Sequence, residues 1–202
     1  VAIGGRKSVW YPRMADIPGI RFQGSPNVDR TRLPGARTRP RADGGYLSWP
    51  SPEGGSSSSS PVHRLAFGAA APRDELELVR MTWEGLELPG TPSDYHFLLQ
   101  GTATELWKNR QRYTHGLAAL EQFCHLDLLL IEAAPEAVVL DENDPAHGFV
   151  HISTLGFLIG LLEREGALRE ALAVSRRARR FGEECWSEDL EAKVASLDEE
   201  LA

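Results

Sequence analysis

The sequence predicts a mainly α fold: an array of helical hairpins preceded by an irregular, partly disordered N-terminal region rich in Pro, Gly, Ser and Arg. Three observations predict it. From about residue 72 onward, apolar residues recur at helical spacing. Before residue 65 the chain is interrupted every few residues by Gly or Pro, and "SPEGGSSSSSP" at 51–61 has the composition of a flexible linker. Charge divides along the same line. Of the 22 Lys/Arg and 29 Asp/Glu, residues 1–64 hold ten and four, a local balance of +6, and the remainder carries −13. The expected organisation is a basic arm and linker over 1–65 and a helical domain over 66–202.

The arm includes "IPGIRFQGSPNVDRTRLPGARTRPRADGG", in which no regular element of useful length survives the Pro and Gly punctuation. In "APRDELELVRMTWEG", Pro72 suits a first helical position, with Asp74 and Glu75 in the first turn. Leu76, Val79 and Trp83 then share a face; the alternation in "ELELV" makes a strand the runner-up. "TPSDYHFLLQGTATELWKNRQRYTHG" reads as a short helix, a break near Gly101, and a second helix capped by Thr102 or Thr104. The next helix carries two apolar rows: Leu117, Leu120, Cys124, Leu128 and Ile131, and Phe123, Leu126 and Leu130. It is buried on more than one side and ends near Pro135. "FVHISTLGFLIGLLEREGALREALAVSRRARRFG" forms two helices joined near Gly166, with Ala171 and Ala178 letting the second lie close to the first. "SEDLEAKVASLDEEL" is a terminal capping helix with Ser187 as N-cap and Leu190, Val194 and Leu197 as a narrow apolar stripe.

Residues 152–185 resemble one tetratricopeptide repeat, a helix–turn–helix unit of about 34 residues. Gly166 falls on the inter-helix glycine of that family, and Leu168 on its large turn residue. Ala171 and Ala178 fall on its small packing positions, and Leu155, Leu158 and Leu162 on its first-helix apolar positions. The sequence departs from the pattern at Ile159 and Ser175 and lacks the closing proline. More loosely, the run from "ELWKNRQ" through the repeat resembles a helical module of uncharacterised bacterial proteins. The resemblance implies a partner groove along the first helix at Ser153, Gly156, Gly160, Glu163 and Arg164. Of these, Ser153, Glu163 and Arg164 offer side chains to a partner. The two glycines favour close packing of another helix at the same place.

Residues of chemical interest are few. His147 and His151 have the i, i+4 spacing of a zinc pair, but Gly148 lies between them and no HExxH glutamate accompanies them. No metal or cofactor is expected. Asp127 lies among apolar residues in "CHLDLLLIE" and must be paired or protonated. It reads as an inter-helix hydrogen bond or salt bridge; an acid/base role near His125 or His151 would require a polar cleft. The run "SRRARR" at 175–180 suits a helix C-terminus. In the arm, Arg30, Arg32, Arg37, Arg39 and Arg41 form a Pro-spaced cationic tract suited to phosphate backbones.

Two cysteines are too few for a disulfide framework, which points to a reducing compartment. The longest apolar tract, "FVHISTLGFLIGLL", falls short of the roughly 20 residues of a membrane span. The expectation is a cytoplasmic, non-catalytic module that binds a protein partner or its own copy through the helical surface. A nucleic-acid-associated protein using the arginine arm is the alternative.

Overall fold

The computed structural model describes residues 9–43, 46–67, 74–140, 148–182 and 187–200. The protein is mainly α. Its helices are α1 (Pro61–Phe67), α2 (Glu75–Leu86), α3 (Pro92–Lys108), α4 (Gly116–Ala133), α5 (Ser153–Arg164), α6 (Leu168–Ala178) and α7 (Glu188–Glu200). α3 is the hub, packing against α1, α2, α4 and α5; α6 packs on α5, and α7 on α6.

α3 differs from the expectation of two helices. It runs unbroken through Gly101, launched by a capping box between Thr91 and Asp94 with Pro92 in its first turn. Burial explains the continuity. Tyr95, Leu98, Leu99, Ala103 and Leu106 all face the core, so tertiary packing offsets one glycine's helix penalty of about 1 kcal/mol. Thr102, expected as a cap, is buried and hydrogen-bonded to Thr82 of α2 at 2.7 Å. α2 begins one residue past Asp74, whose carboxylate accepts the Leu76 N–H; Pro72 lies outside the described residues. Its deepest row is Leu78, Thr82 and Leu86, one step round from the expected row, of which Trp83 is buried and Leu76 exposed.

α4 buries both expected rows except Leu117. The α5–α6 hairpin turns at Gly166, whose φ of +78° is open to glycine at little cost. Leu155, Leu158 and Leu162 on α5 are buried with Ala171, Leu172 and Ala178 on α6. α7 starts after Ser187, whose hydroxyl accepts the Leu190 N–H, and buries Leu190 and Val194.

The N-terminal region is irregular, as expected, but the described part of it is docked. Met14 and Ile17, around a 3₁₀ turn at Met14–Asp16, and Ala36 join the same core as the helices. Main-chain bonds in both directions join Tyr11 to Gly90 at 2.8 and 3.0 Å. The buried Tyr95 hydroxyl donates its one proton between the carbonyls of Leu88, at 2.8 Å, and Tyr11, at 3.2 Å. A small antiparallel sheet follows, in the order β1 (Arg41–Asp43), β2 (Tyr46–Pro50) and β3 (Ser56–Ser57). Its inner anchor is Trp49, buried edge-on against Trp10. The serine run expected as a flexible linker supplies β3, and Ser60 of that run caps α1 by accepting the His63 N–H. The expected boundary at residue 65 falls inside α1.

Candidate interaction surfaces

The five positions implied by the repeat resemblance lie in one stripe on α5. Ser153 and Gly160 are partly exposed, and Gly156 and Arg164 are exposed. Ser153 opens the stripe: its N–H donates to the Gln100 side chain on α3 at 2.8 Å. Beside it lies a groove of about 360 Å³ walled by Leu65, Phe67, Met81 and Phe97, with Gly101 of α3 and Ser153 at one end. A methyl group placed on Gly101, Gly156 or Gly160 would meet nothing within 4 Å. The close helix neighbour that these glycines favour is therefore not a described part of this chain.

The two charged residues of the stripe, both at the C-terminal end of α5, are engaged internally. Glu163 accepts from Lys193 of α7 at 3.2 Å. The Arg164 guanidinium lies 5.1 Å from the centre of the Trp107 ring, and Arg110 lies at 4.5 Å. Phe157 stacks on the same indole at 5.3 Å. This cluster joins the ends of α3 and α5, and Trp107 had no signal in the sequence beyond its helical position.

The arginine tract divides. Arg30 is a structural clamp. Its guanidinium donates to the carbonyls of Glu87, Pro12 and Ala36 at 3.2, 3.1 and 2.7 Å, which corrects its placement among phosphate-binding residues. A planar fork with five N–H donors suits three converging carbonyls. Next to it the buried Glu87 carboxylate accepts the Ser25 N–H at 2.7 Å and Arg13 at 3.4 Å. Arg32, Arg37, Arg39 and Arg41 are exposed. None of these four has an ion pair or side-chain hydrogen bond among the described residues. The helical cluster at 175–180 is different: Arg176 pairs with Glu191 and Arg177 grips Glu132 through two bonds of 2.9 and 2.7 Å. That grip holds the Glu132 carboxyl below its ordinary value.

Asp127 is a register bond. Its carboxylate accepts from His96 Nδ1 of α3 at 2.8 Å and from the Thr154 hydroxyl of α5, tying three helices together. His96 and Asp127 are both 0% exposed. Neither His125 nor His151 reaches Asp127: His125 lies beside Glu121, and His151 is exposed ahead of α5. His147 is outside the described residues. Beside Asp127, burial first and the carboxylate second push the Cys124 thiol well up, so it is inert as a nucleophile. Cys185 is also outside the described residues.

A second Asp–His pair escaped the sequence reading. Asp94 accepts from the Ser60 hydroxyl at 2.8 Å, from the Thr91 N–H at 2.8 Å and from His63 Nδ1 at 3.2 Å. The residue types are those of a hydrolase triad, but Ser60 donates to the carboxylate and accepts from a backbone N–H instead of facing the imidazole. The cluster braces the starts of α1 and α3. Among the described residues no group of three His, Cys, Asp or Glu could hold a metal ion, and no helix is long and apolar enough to cross a membrane. Comparison with known proteins adds no identity: no family model matches the chain, and neither the curated proteins nor the solved structures contain a match to it.

Proposed function

We propose that this protein is a non-catalytic interaction module that accepts a helix of a partner protein along the α5 stripe and the adjoining groove. The observation that carries this reading is the open space above Gly101, Gly156 and Gly160. A glycine inside a helix costs about 1 kcal/mol relative to alanine, and alanine fits at all three sites. Glycines that serve no described packing within the chain fit a close approach from outside it. The aromatic and aliphatic wall of Leu65, Phe67, Met81 and Phe97 supplies apolar area beside that approach. The resemblance to a tetratricopeptide hairpin agrees with this assignment, since the stripe occupies that family's partner-binding positions.

The test is photo-crosslinking in lysate of the host, with a benzophenone side chain at Gly160 and, as a control, at exposed Ala173 on α6. The expected result is one discrete adduct from position 160, weakened by Gly156→Leu and absent from position 173. Equal labelling from both positions would sink the assignment. An adduct of twice the chain mass would identify the partner as a second copy.

A further inference from the structure

We propose that the outer face of the small N-terminal sheet binds single-stranded nucleic acid, with Arg37, Arg39 and Arg41 holding phosphates and Tyr46 stacking a base. This site is independent of the α5 stripe.

The argument starts from what the other arginines do. The guanidinium groups of Arg13, Arg80, Arg169, Arg176 and Arg177 pair with carboxylates, and those of Arg30 and Arg64 donate to backbone carbonyls. Against that background, Arg37, Arg39 and Arg41 stand exposed within five residues without either kind of partner among the described residues. Between residues 30 and 50 the sequence has five arginines and one acid, Asp43. Arg37, Arg39 and Arg41 are exposed and Thr38 and Pro40 less so; Arg37 lies in the turn closed by the Thr38 N–H on Gly35, and the alternation runs on from it through Arg39 and Arg41. Alternation is the mark of an extended chain presenting every second side chain to one side. Pro40 reinforces it, because the residue before a proline is pushed to extended geometry. Residues two apart in such a chain are separated by roughly 6.6 Å, close to the step between phosphates of an extended single strand.

The aromatic component comes from the strand register. Arg41 pairs with Ser48, and Asp43 pairs with Tyr46. Directly paired residues share a face, and so do residues two apart on a strand. Tyr46 therefore lies on the same face as Arg41, on the diagonal, at a distance of about 7–8 Å between backbones. It is 81% exposed, the most exposed of the large apolar side chains among the described residues. The inner face carries Trp49 against Trp10, which fixes which side of the sheet is turned out. Arginines following a strand beside an exposed ring are the two parts of a single-strand binding surface: the cations follow the backbone and the ring takes a base without regard to its identity. Duplex recognition needs a helix or a β-ribbon that enters a groove, and the β1–β2 ladder, with three paired positions, is short for that.

The test uses the full chain and a fluorescent twelve-nucleotide oligo(dT), read by anisotropy from 50 to 300 mM salt. Affinity is expected to fall with salt. The triple variant Arg37→Ala, Arg39→Ala, Arg41→Ala should flatten the log–log slope by about 2, three phosphate contacts at about 0.7 each. Tyr46→Ala should weaken binding about tenfold or more, and Tyr46→Phe should retain it, because the ring alone stacks. All four side chains are exposed, so folding survives their removal, and far-ultraviolet circular dichroism checks this. Absence of binding at 50 mM salt would overturn the proposal. So would equal affinity for a duplex of the same length. Heparin bound as tightly as the oligonucleotide, with no effect of Tyr46→Ala, would assign the face to anionic surfaces in general and likewise overturn it.

Discussion

Replacing Gly101, Gly156 and Gly160 by alanine should stabilise the protein. Each glycine lies inside a helix, Gly101 in α3 and the other two in α5. None has a positive φ, and a Cβ at each enters open space. The only terms left are the backbone entropy that alanine removes from the unfolded chain and the helix propensity it adds, together about 0.8–1.0 kcal/mol per site. Gly156 and Gly160 are one turn apart on α5, but the propensity gain is local to each residue, so the three together give about 2.5–3 kcal/mol. At a chain length near 200 residues this corresponds to a rise of about 5–12 °C in Tm. Urea melts of the single and triple variants, with unchanged m-values, measure it. A triple variant no more stable than the wild type would refute the reasoning, because it would mean that the space above the helices is filled in solution. If a partner helix uses that space, Gly101→Ala and Gly156→Ala should weaken crosslinking from position 160, while the isolated chain gains stability. Opposite signs for stability and binding separate an interaction surface from a defect in packing.

Asp127→Ala leaves His96 Nδ1 and the Thr154 hydroxyl buried without their acceptor, and should cost about 3–5 kcal/mol in chemical denaturation. Thr154→Val removes one donor and should cost only about 1–2 kcal/mol; equal costs would mean that Asp127 does not serve both partners. Arg30→Ala should cost about 2–3 kcal/mol by freeing three carbonyls, with Arg30→Lys a poor rescue, since an ammonium cannot reproduce the planar fork. Stability should also fall on the acid side in two stages. Burial lowers the His125 value below the ordinary 6.5, so the unfolded chain takes up this proton first and the contribution fades as pH drops below about 6.5. Arg177 lowers Glu132 below 4.5, so the contribution of that pair is full above this value and is lost as pH falls through the lowered one. Melts of His125→Gln and Glu132→Gln across pH 3–8 should each remove the corresponding stage.

The helical half was legible because its information is local. The two apolar rows of α4 and the Gly166 turn with its small alanines are periodic patterns, and burial followed them. Two local signals misled for a shared reason, that propensity is weaker than packing. Gly101 suggested a break, yet α3 has a core face on both sides of it and runs through. Of the regular row Leu76, Val79 and Trp83, Trp83 joins the core and Val79 packs against it, but Leu76 is exposed and the deepest row is Leu78, Thr82 and Leu86. The first row also meets the 26–34 loop across a groove of about 730 Å³. Asp127 was readable as a buried carboxylate needing a partner. Which partner was not, because His96 is 31 residues away on another helix.

The N-terminal region shows the limit more sharply. Its order rests on contacts between residues far apart in sequence: Arg30 to Glu87, Ser25 to Glu87, Tyr11 to Gly90 and Tyr95 to Tyr11. Composition alone suggests a chain too polar and too rich in Gly and Pro to order itself. Between residues 9 and 40 the segment has no regular element beyond a 3₁₀ turn. The order is borrowed from the helical body through backbone carbonyls and one buried carboxylate, none of which leaves a periodic trace. This matters for binding. A disordered arginine arm loses chain entropy when it meets a polyanion, whereas a docked one has already been ordered by folding. Arg30, by clamping the arm instead of contacting a ligand, is what would hold Arg37, Arg39, Arg41 and Tyr46 on one prearranged face.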